Sequence, residues 1–130
     1  MLAKQQFVAL SNFRSELARF LRFSERAARA AGITPAQYQL LLHLRGFPGR
    51  EWATVGELAA RLQASSHGTG ALINRCIALG LASKHRSEGD GRQVEVHLTP
   101  RAKLLVERIA LQHHQELQSL REVFRVAHVS

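Results

Sequence analysis

Two clusters of polar and basic side chains in this sequence have the composition of a surface that binds a polyanion. The first cluster runs through a predicted helix and comprises Ser65, Ser66, His67, Thr69, Gly70, Asn74 and Arg75. The second surrounds a glycine-rich turn and comprises Lys84, Arg86, Asp90 and Arg92. Hydroxyl, ammonium and guanidinium groups bind phosphates, and amide and guanidinium groups also hydrogen-bond the edges of bases. Both clusters are therefore candidate contacts to nucleic acid.

The first cluster is positioned by two short predicted helices with a tight turn between them. Thr54 followed by Glu57 is a capping box, which predicts a helix start, and apolar residues recur after it at helical spacing. Ser65 is a good N-cap for the second helix, and Gly80 stands where that helix should end. The spacing predicts a helix-turn-helix whose second helix, residues 66–79, presents the first cluster outward.

The second cluster lies on a predicted β-hairpin. Residues 81–86 and 93–98 are typical of two short strands, and the second strand alternates apolar with polar residues. The segment between them, residues 87–92, is Ser-Glu-Gly-Asp-Gly-Arg and is rich in turn-forming residues. A helix-turn-helix followed by a hairpin is a winged helix. Thr99-Pro100 then predicts the start of a further helix, because proline is well tolerated at the first helical position.

Long amphipathic helices are predicted on both sides of this core. Residues 3–31 lack proline and glycine and carry an apolar stripe, and residues 100–127 carry a second stripe. Together the stripes have more apolar surface than one winged helix can cover, which indicates a homodimer. The predicted fold class is mostly α (α+β). It is a single domain over 1–130, with a winged-helix DNA-binding core at 34–99 and helical dimerisation regions at 3–31 and 100–127.

Five short motifs follow one another along the chain. They are, in order, Leu58-Ala59-Ala60-Arg61-Leu62, Asn74-Arg75, Leu79-Gly80-Leu81, Asp90-x-Arg92 and Val96-x-Leu98-Thr99-Pro100. Each motif is common by itself, but the ordered set resembles the MarR family of bacterial winged-helix regulators. The resemblance extends over nearly the whole chain, including the helices outside the core.

The resemblance implies a function and roles for several residues. It implies a homodimeric transcription regulator, commonly a repressor, that binds a pseudo-palindromic site in double-stranded DNA. It further implies that Arg92 enters the minor groove and that Asp90 orients its guanidinium. A short strand before Thr54 would join the hairpin. A small aromatic or anionic effector would relieve repression by binding in a pocket near Trp52 and Arg22.

The predicted recognition helix departs from the resembled pattern. Ala71 stands where a long polar or basic side chain is common, and Gly68 and Gly70 replace better helix formers. Each glycine costs a helix interior about 1 kcal/mol relative to alanine. Base-specific contacts are therefore expected to be sparse, and two alternatives stay open. One is an architectural DNA-binding protein of weak specificity, and the other is a winged-helix protein–protein interaction module without DNA binding.

Composition limits the classes of function. The 130 residues carry 18 Lys and Arg against 10 Asp and Glu, a formal net charge of +8, which favours polyanionic partners. The single cysteine, Cys76, rules out an internal disulfide, and its inward helical phase argues against redox sensing. The seven histidines have no metal-ligand spacing, and His113 is expected at the dimer interface. Membrane spans and catalytic motifs are absent from the sequence, so we expect a cytoplasmic protein that is not an enzyme and needs no cofactor or metal.

Overall fold

The described residues form five helices and three short strands. The computed structural model describes residues 1–89, 93–119 and 121. The elements are α1 (Lys4–Ala30), α2 (Pro35–Arg45), β1 (Trp52–Ala53), α3 (Val55–Leu62), α4 (Ser66–Ala78), β2 (Ala82–Arg86), β3 (Val94–Leu98) and α5 (Pro100–Ser119). This architecture, mostly α with one small sheet, confirms the predicted winged helix-turn-helix fold. Asp90, Arg92 and the end of the chain, residues 122–130, lie outside the described residues.

The three strands form one antiparallel sheet in the order β1-β3-β2. β2 pairs with β3 along its whole length, with Lys84 opposite Val96. β1 pairs with the other edge of β3, where Trp52 lies opposite His97. The short strand that the resemblance implied before Thr54 is therefore present, and it connects the hairpin to the helix-turn-helix.

The helix starts are stabilised by the side chains that the sequence indicated. The Thr54 hydroxyl accepts a hydrogen bond from the Glu57 N–H at 3.2 Å, and the Glu57 carboxylate accepts one from the Thr54 N–H at 2.9 Å. This backbone hydrogen bond, followed by those from the Thr54 hydroxyl and Arg50, lowers the pKa of Glu57. The same reciprocal capping box begins α2 at Thr34, and Ser65 caps α4. These caps supply partners for backbone N–H groups that have none inside the helix.

α2 lies at the centre of the packing. It contacts α1, α3, α4, α5, β1 and β3, and its Leu40, Leu41 and Leu44 are fully buried. Every other element contributes to the same core, through residues that include Ala28, Ala53, Leu58, Ile73, Ala82, Val96 and Val106. Full burial of one leucine side chain contributes about 2 kcal/mol. The orientation of the helix-turn-helix and of the sheet therefore follows from how each packs on α2.

α1 and α5 leave large apolar side chains in solvent. The exposed ones are Phe7, Val8, Leu10 and Leu21 on α1, and Leu104, Leu111 and Leu117 on α5. Apolar surface of this extent on two neighbouring helices indicates an interaction surface. Within the described part of the chain, none of the helices combines the length and the apolar character that crossing a membrane requires.

Two glycines of the helix-turn-helix should respond to alanine in opposite directions. Gly80 has a φ of 75°, and a Cβ there would lie 3.3 Å from Arg101 Nη1. Gly80→Ala should therefore lower the free energy of unfolding by about 1 to 2 kcal/mol. Gly70 lies inside α4, where a Cβ would meet nothing within 4 Å, so Gly70→Ala should raise that free energy by about 1 kcal/mol. Urea unfolding of both variants measures the two changes, and changes of the same sign would contradict these backbone conformations.

Candidate nucleic-acid interface

α4 presents most of the first predicted cluster to solvent. Its N-cap Ser65 and the residues Ser66 and His67 are exposed, as are Asn74 and Arg75 in its second half. The N-terminal end of α4 also carries backbone N–H groups and the positive end of the helix dipole, both of which favour a phosphate. The exposed face of this helix is therefore rich in hydrogen-bond donors.

The outward position predicted for Thr69 is wrong. Its side chain is 1% exposed, and it lies with Ile73 and Cys76 on the buried face of α4. These three residues follow one another at i, i+4 and i+7, so they share one helix face. The prediction followed the polarity of threonine instead of its helical phase. Gly70, the next residue, is half-buried, so the outward surface at this level of the helix is small.

Asn74 is hydrogen-bonded to the hairpin. The Lys84 ammonium group of β2 donates to the Asn74 side-chain oxygen at 3.0 Å. Bidentate recognition of adenine uses both the oxygen and the nitrogen of an asparagine amide. With its oxygen engaged, Asn74 offers only N–H donors outward, which suit a phosphate or a base acceptor. Arg75 is therefore the stronger candidate for reading a base on this face.

The hairpin displays the described members of the second cluster. Lys84 and Arg86 are both exposed and point to the same side of β2, because they are two residues apart. The two other members, Asp90 and Arg92, lie in the part of the turn outside the described residues, so their roles stay predictions. The structure thus places Lys84 next to α4. The tip of the hairpin, which contains Asp90 and Arg92, is outside the described residues.

The opposite face of the sheet brings Trp52 together with polar residues that the sequence analysis did not single out. Ser83 and His85 of β2 share this face with Glu95 and His97 of β3 and with Trp52 of β1. His97 Nε2 lies 3.0 Å from a Glu95 carboxylate oxygen, and the His85 and His97 rings meet edge to face at 4.9 Å. The alternation of apolar and polar residues along β3 predicted which of its side chains lie on the polar face. Only the register between strands brings these side chains together.

Trp52 and Arg22, the pocket neighbours implied by the resemblance, have different surroundings. The Arg50 guanidinium lies 4.0 Å from the centroid of the Trp52 ring and 4.6 Å from that of Phe47, and it also pairs with Glu57. Trp52 is therefore part of a cation–π cluster that holds the loop before β1. Arg22 is exposed on α1. Neither residue lines the cavity between α1, α2 and α5.

That cavity has a volume of about 490 Å³ and a mostly apolar and aromatic wall. Its lining residues are Phe20, Leu21, Ser24, Tyr38, Gln39, Leu42, His43, Ala110, His113, His114 and Leu117. The lining includes neither lysine nor arginine. Burial, and after it the positive charge of Arg61, lowers the pKa of His43, so this imidazole is neutral at pH 7. The wall is suited to an uncharged aromatic molecule.

His113 is buried within one chain, which corrects its predicted place at a dimer interface. It is 7% exposed, its Nδ1–H donates to the Ile109 carbonyl oxygen at 2.8 Å, and its ring stacks on Tyr38 at 5.0 Å. The rings of Phe20 and Phe23 contact it edge-on. Its Nε2 is buried without a hydrogen-bond partner among the described residues. The aromatic cage accounts for a histidine on an otherwise apolar stripe.

The surroundings of Cys76 do not favour redox chemistry. Cys76 is a free, buried cysteine, and burial raises its pKa to about 11. A thiol of this kind behaves as a small apolar side chain. Across residues 1–89, 93–119 and 121, no three His, Cys, Asp or Glu side chains are grouped so that they could hold a metal ion.

Comparison with known proteins returns the same architecture. The model of the MarR family matches residues 31–93. A MarR family protein from Bacillus stearothermophilus has a TM-score of 0.78 and 20% identity, covering 100% of this chain and 86% of that chain. A MarR variant from E. coli, complexed with operator DNA, has a TM-score of 0.66 and 22% identity, covering 80% and 75%. BpsR from Bordetella bronchiseptica, whose DNA binding is regulated by 6-hydroxynicotinic acid, has a TM-score of 0.65 and 24% identity, covering 82% and 74%. No curated protein matches the chain.

We expect the Cys76 thiol to be unreactive in the folded protein. With a pKa of about 11, it is ionised at pH 8 to only about one part in a thousand, and it is also buried. Ellman's reagent should therefore react with the native protein far more slowly than with the same protein in urea. Rapid reaction of the native thiol would contradict this structure and would reopen redox sensing.

Proposed function

We propose that this chain is a member of the MarR family, whose model matches its residues 31–93, and that it is a sequence-specific, double-stranded DNA-binding transcription regulator. The observation that carries the proposal is the exposed set of donors on α4 and the adjoining hairpin. These residues are Ser65, Ser66, His67, Asn74, Arg75, Lys84 and Arg86. In winged helices the second helix of the helix-turn-helix enters the major groove while other donors hold the phosphates. The formal charge of +8 adds a general attraction to the duplex.

In this arrangement Arg75 reads a base edge or a phosphate, and Lys84 holds a phosphate beside α4. Arg92 enters the adjacent minor groove with Asp90 orienting it, as the resemblance implies. The E. coli MarR variant in complex with operator DNA supports this assignment by its shared fold. Thr69 is excluded from the interface because it is buried.

The regulator is proposed to act as a homodimer through the helical regions at 3–31 and 100–127. The apolar side chains that α1 and α5 leave in solvent support this, because a second copy related by a two-fold axis would cover them on both chains. Such a dimer presents two α4 helices to successive major grooves. A pseudo-palindromic site matches that symmetry.

The dimer is proposed to act as a repressor that a small aromatic ligand releases. The cavity between α1, α2 and α5 is the favoured location, since its wall is aromatic and joins the flanking helices to the winged-helix core. BpsR, with the same fold, is regulated by the small aromatic molecule 6-hydroxynicotinic acid. Release requires that the ligand binds the DNA-free arrangement of the two lobes more tightly than the DNA-bound one.

An architectural role with weak sequence preference is the second candidate. The observation that favours it is the composition of α4, in which Gly68, Gly70 and Ala71 leave little side chain to read bases, together with the buried Thr69. Recognition would then depend on the hairpin and on DNA shape. The two candidates differ in the ratio of affinities for the cognate duplex and a scrambled one.

The decisive experiment titrates the protein against duplex DNA from its own upstream region and against a scrambled duplex at several salt concentrations. Arg75→Ala and Lys84→Ala should each weaken binding and reduce the slope of log K against log salt by about 0.9 per lost phosphate contact. If Arg75 reads a base, its variant should also lose part of the preference for the cognate duplex. Lys103→Ala, an exposed position on α5, is the matched control and should change neither value.

The outcomes separate the candidates. A steep salt slope with a clear cognate preference supports the sequence-specific regulator. A steep slope without preference supports the architectural role. Absence of binding at low salt would overturn both and would leave the protein–protein interaction module.

Dimerisation should depend on the exposed apolar side chains of α5. Leu111 is 61% exposed in a single chain, so Leu111→Glu should leave that chain folded while it places a charge in the proposed interface. Sedimentation should show a dimer for the parent protein and a monomer for the variant. The control is Gln112→Glu, which adds the same charge at the neighbouring exposed position. A monomeric parent, or equal effects of the two variants, would contradict the proposed interface.

A further inference from the structure

The hydrogen bond between Lys84 and Asn74 joins the hairpin to the outward face of α4. The Lys84 ammonium group donates to the Asn74 side-chain oxygen at 3.0 Å, and the two residues are ten positions apart in the chain. None of the ion pairs between described residues includes Lys84, so its positive charge lies against a neutral amide. The ammonium group therefore keeps its charge and two further N–H donors for a phosphate, while one donor is used inside the protein.

The packing of the hairpin brings Lys84 to this position. Ala82 and Lys84 are two residues apart in β2, so their side chains lie on the same side of the strand. Ala82 is 4% exposed and belongs to the core, whereas Lys84 is exposed. Lys84 therefore reaches α4 from the side of the sheet that packs on the core, at the point where the strand leaves that core.

The residues that precede Asn74 on the same face of α4 are small. Side chains of a helix lean toward its N-terminus, so the Asn74 side chain lies over Gly70 and Ala71, four and three residues earlier. Gly70 has no side chain, and a Cβ there would meet nothing within 4 Å. The two residues that depart from the resembled pattern therefore leave space for a base edge to approach the Asn74 amide.

The orientation of this amide determines which base it can recognise. An asparagine side chain recognises adenine by accepting from the N6 amino group with its oxygen and donating to N7 with its nitrogen. With the oxygen turned to Lys84, the side chain presents N–H donors to the groove. Guanine offers two acceptors there, N7 and O6, whereas adenine places an amino group beside N7 and cytosine presents an amino group alone. The donors therefore match guanine best.

We propose that Lys84 is a positioning residue that sets the base preference of Asn74, so that this side chain selects guanine over adenine in the major groove. The Lys84 ammonium group holds the amide oxygen with one donor and binds a phosphate with the others. Removal of that group releases the oxygen and restores the paired contact to adenine. This inference rests on the proposed function as a sequence-specific DNA-binding regulator, and it adds the class of base that one side chain of α4 reads.

The test measures affinities of the full chain for duplexes in which each base pair of the cognate site is substituted in turn. Asn74→Ala should lose discrimination at one base pair of a half-site, which identifies the base that Asn74 contacts. At that position the parent protein should bind guanine about tenfold more tightly than adenine, and cytosine most weakly. Lys84→Met should lower the ratio of guanine affinity to adenine affinity by about tenfold, because the released amide oxygen accepts from the adenine amino group.

Two variants separate this role from a general loss of charge. Arg86→Met removes a positive charge from the same side of β2 and leaves the bond between Lys84 and Asn74 in place, so it should weaken binding of all four bases by the same factor. The double variant Lys84→Met with Asn74→Ala should show no preference between guanine and adenine. In the DNA-free protein, the NMR resonances of the Asn74 side-chain N–H groups should shift in Lys84→Met and stay unchanged in Arg86→Met.

The outcomes distinguish this inference from the proposed function. Specific DNA binding with an adenine preference in the parent, or with a ratio that Lys84→Met leaves unchanged, overturns the inference alone. The same holds if Arg86→Met changes the ratio as much as Lys84→Met, or if the Asn74 resonances do not shift. Absence of DNA binding at low salt, or binding without any sequence preference, overturns the sequence-specific function and the base preference together.

Discussion

The buried face of α2 is the constraint on which the remaining structure depends. Leu40, Leu41 and Leu44 have no exposed surface, and α2 contacts all four other helices and two of the three strands. A helix buried on this scale requires each neighbour to turn an apolar face toward it. When α3, α4 and the sheet pack their apolar faces on α2, the polar face of α4 and the basic side chains of β2 remain exposed to solvent next to each other. The candidate interface is a consequence of how the core is filled.

Hydrogen bonds then fix α4 at three points along its length. Ser65 caps its start, Lys84 binds Asn74 in its second half, and Arg101 binds the Leu79 carbonyl at its end. The partners belong to the preceding turn, to the hairpin and to α5. A helix held in this way has a defined position relative to the hairpin and to α5, which is what a surface that matches two grooves of a duplex needs. It also means that a change at α5 reaches α4 through a direct contact.

Two cavities of opposite chemistry lie on either side of α5 in the described part of the chain. The cavity that α5 forms with α1 and α2 is aromatic and lacks lysine and arginine, whereas the cavity it forms with the end of α4 includes two arginines. The sequence shows that Arg101 and Arg108 are seven residues apart, but it does not show that they line a cavity. That cavity exists only because Leu79 and Leu81, from a distant part of the chain, pack beside them. The same is true of His113, whose aromatic cage comes from α1 and α2.

The sequence by itself determined the order and the boundaries of the elements. The caps at Thr34, Thr54 and Ser65, the positive φ at Gly80 and the hairpin strands on either side of residues 87–92 depend on residues close together in the chain, and for such features local chemistry is sufficient. Tertiary structure alone decided that Thr69 faces the core, that the Arg50 guanidinium lies over the Trp52 ring, and that one face of the sheet gathers two histidines. Which face of a helix is buried depends on the neighbouring element that packs on it. Which side chains lie next to each other in a sheet depends on the register between its strands. Packing on α2 determines these features, because it brings together residues that are far apart in the chain.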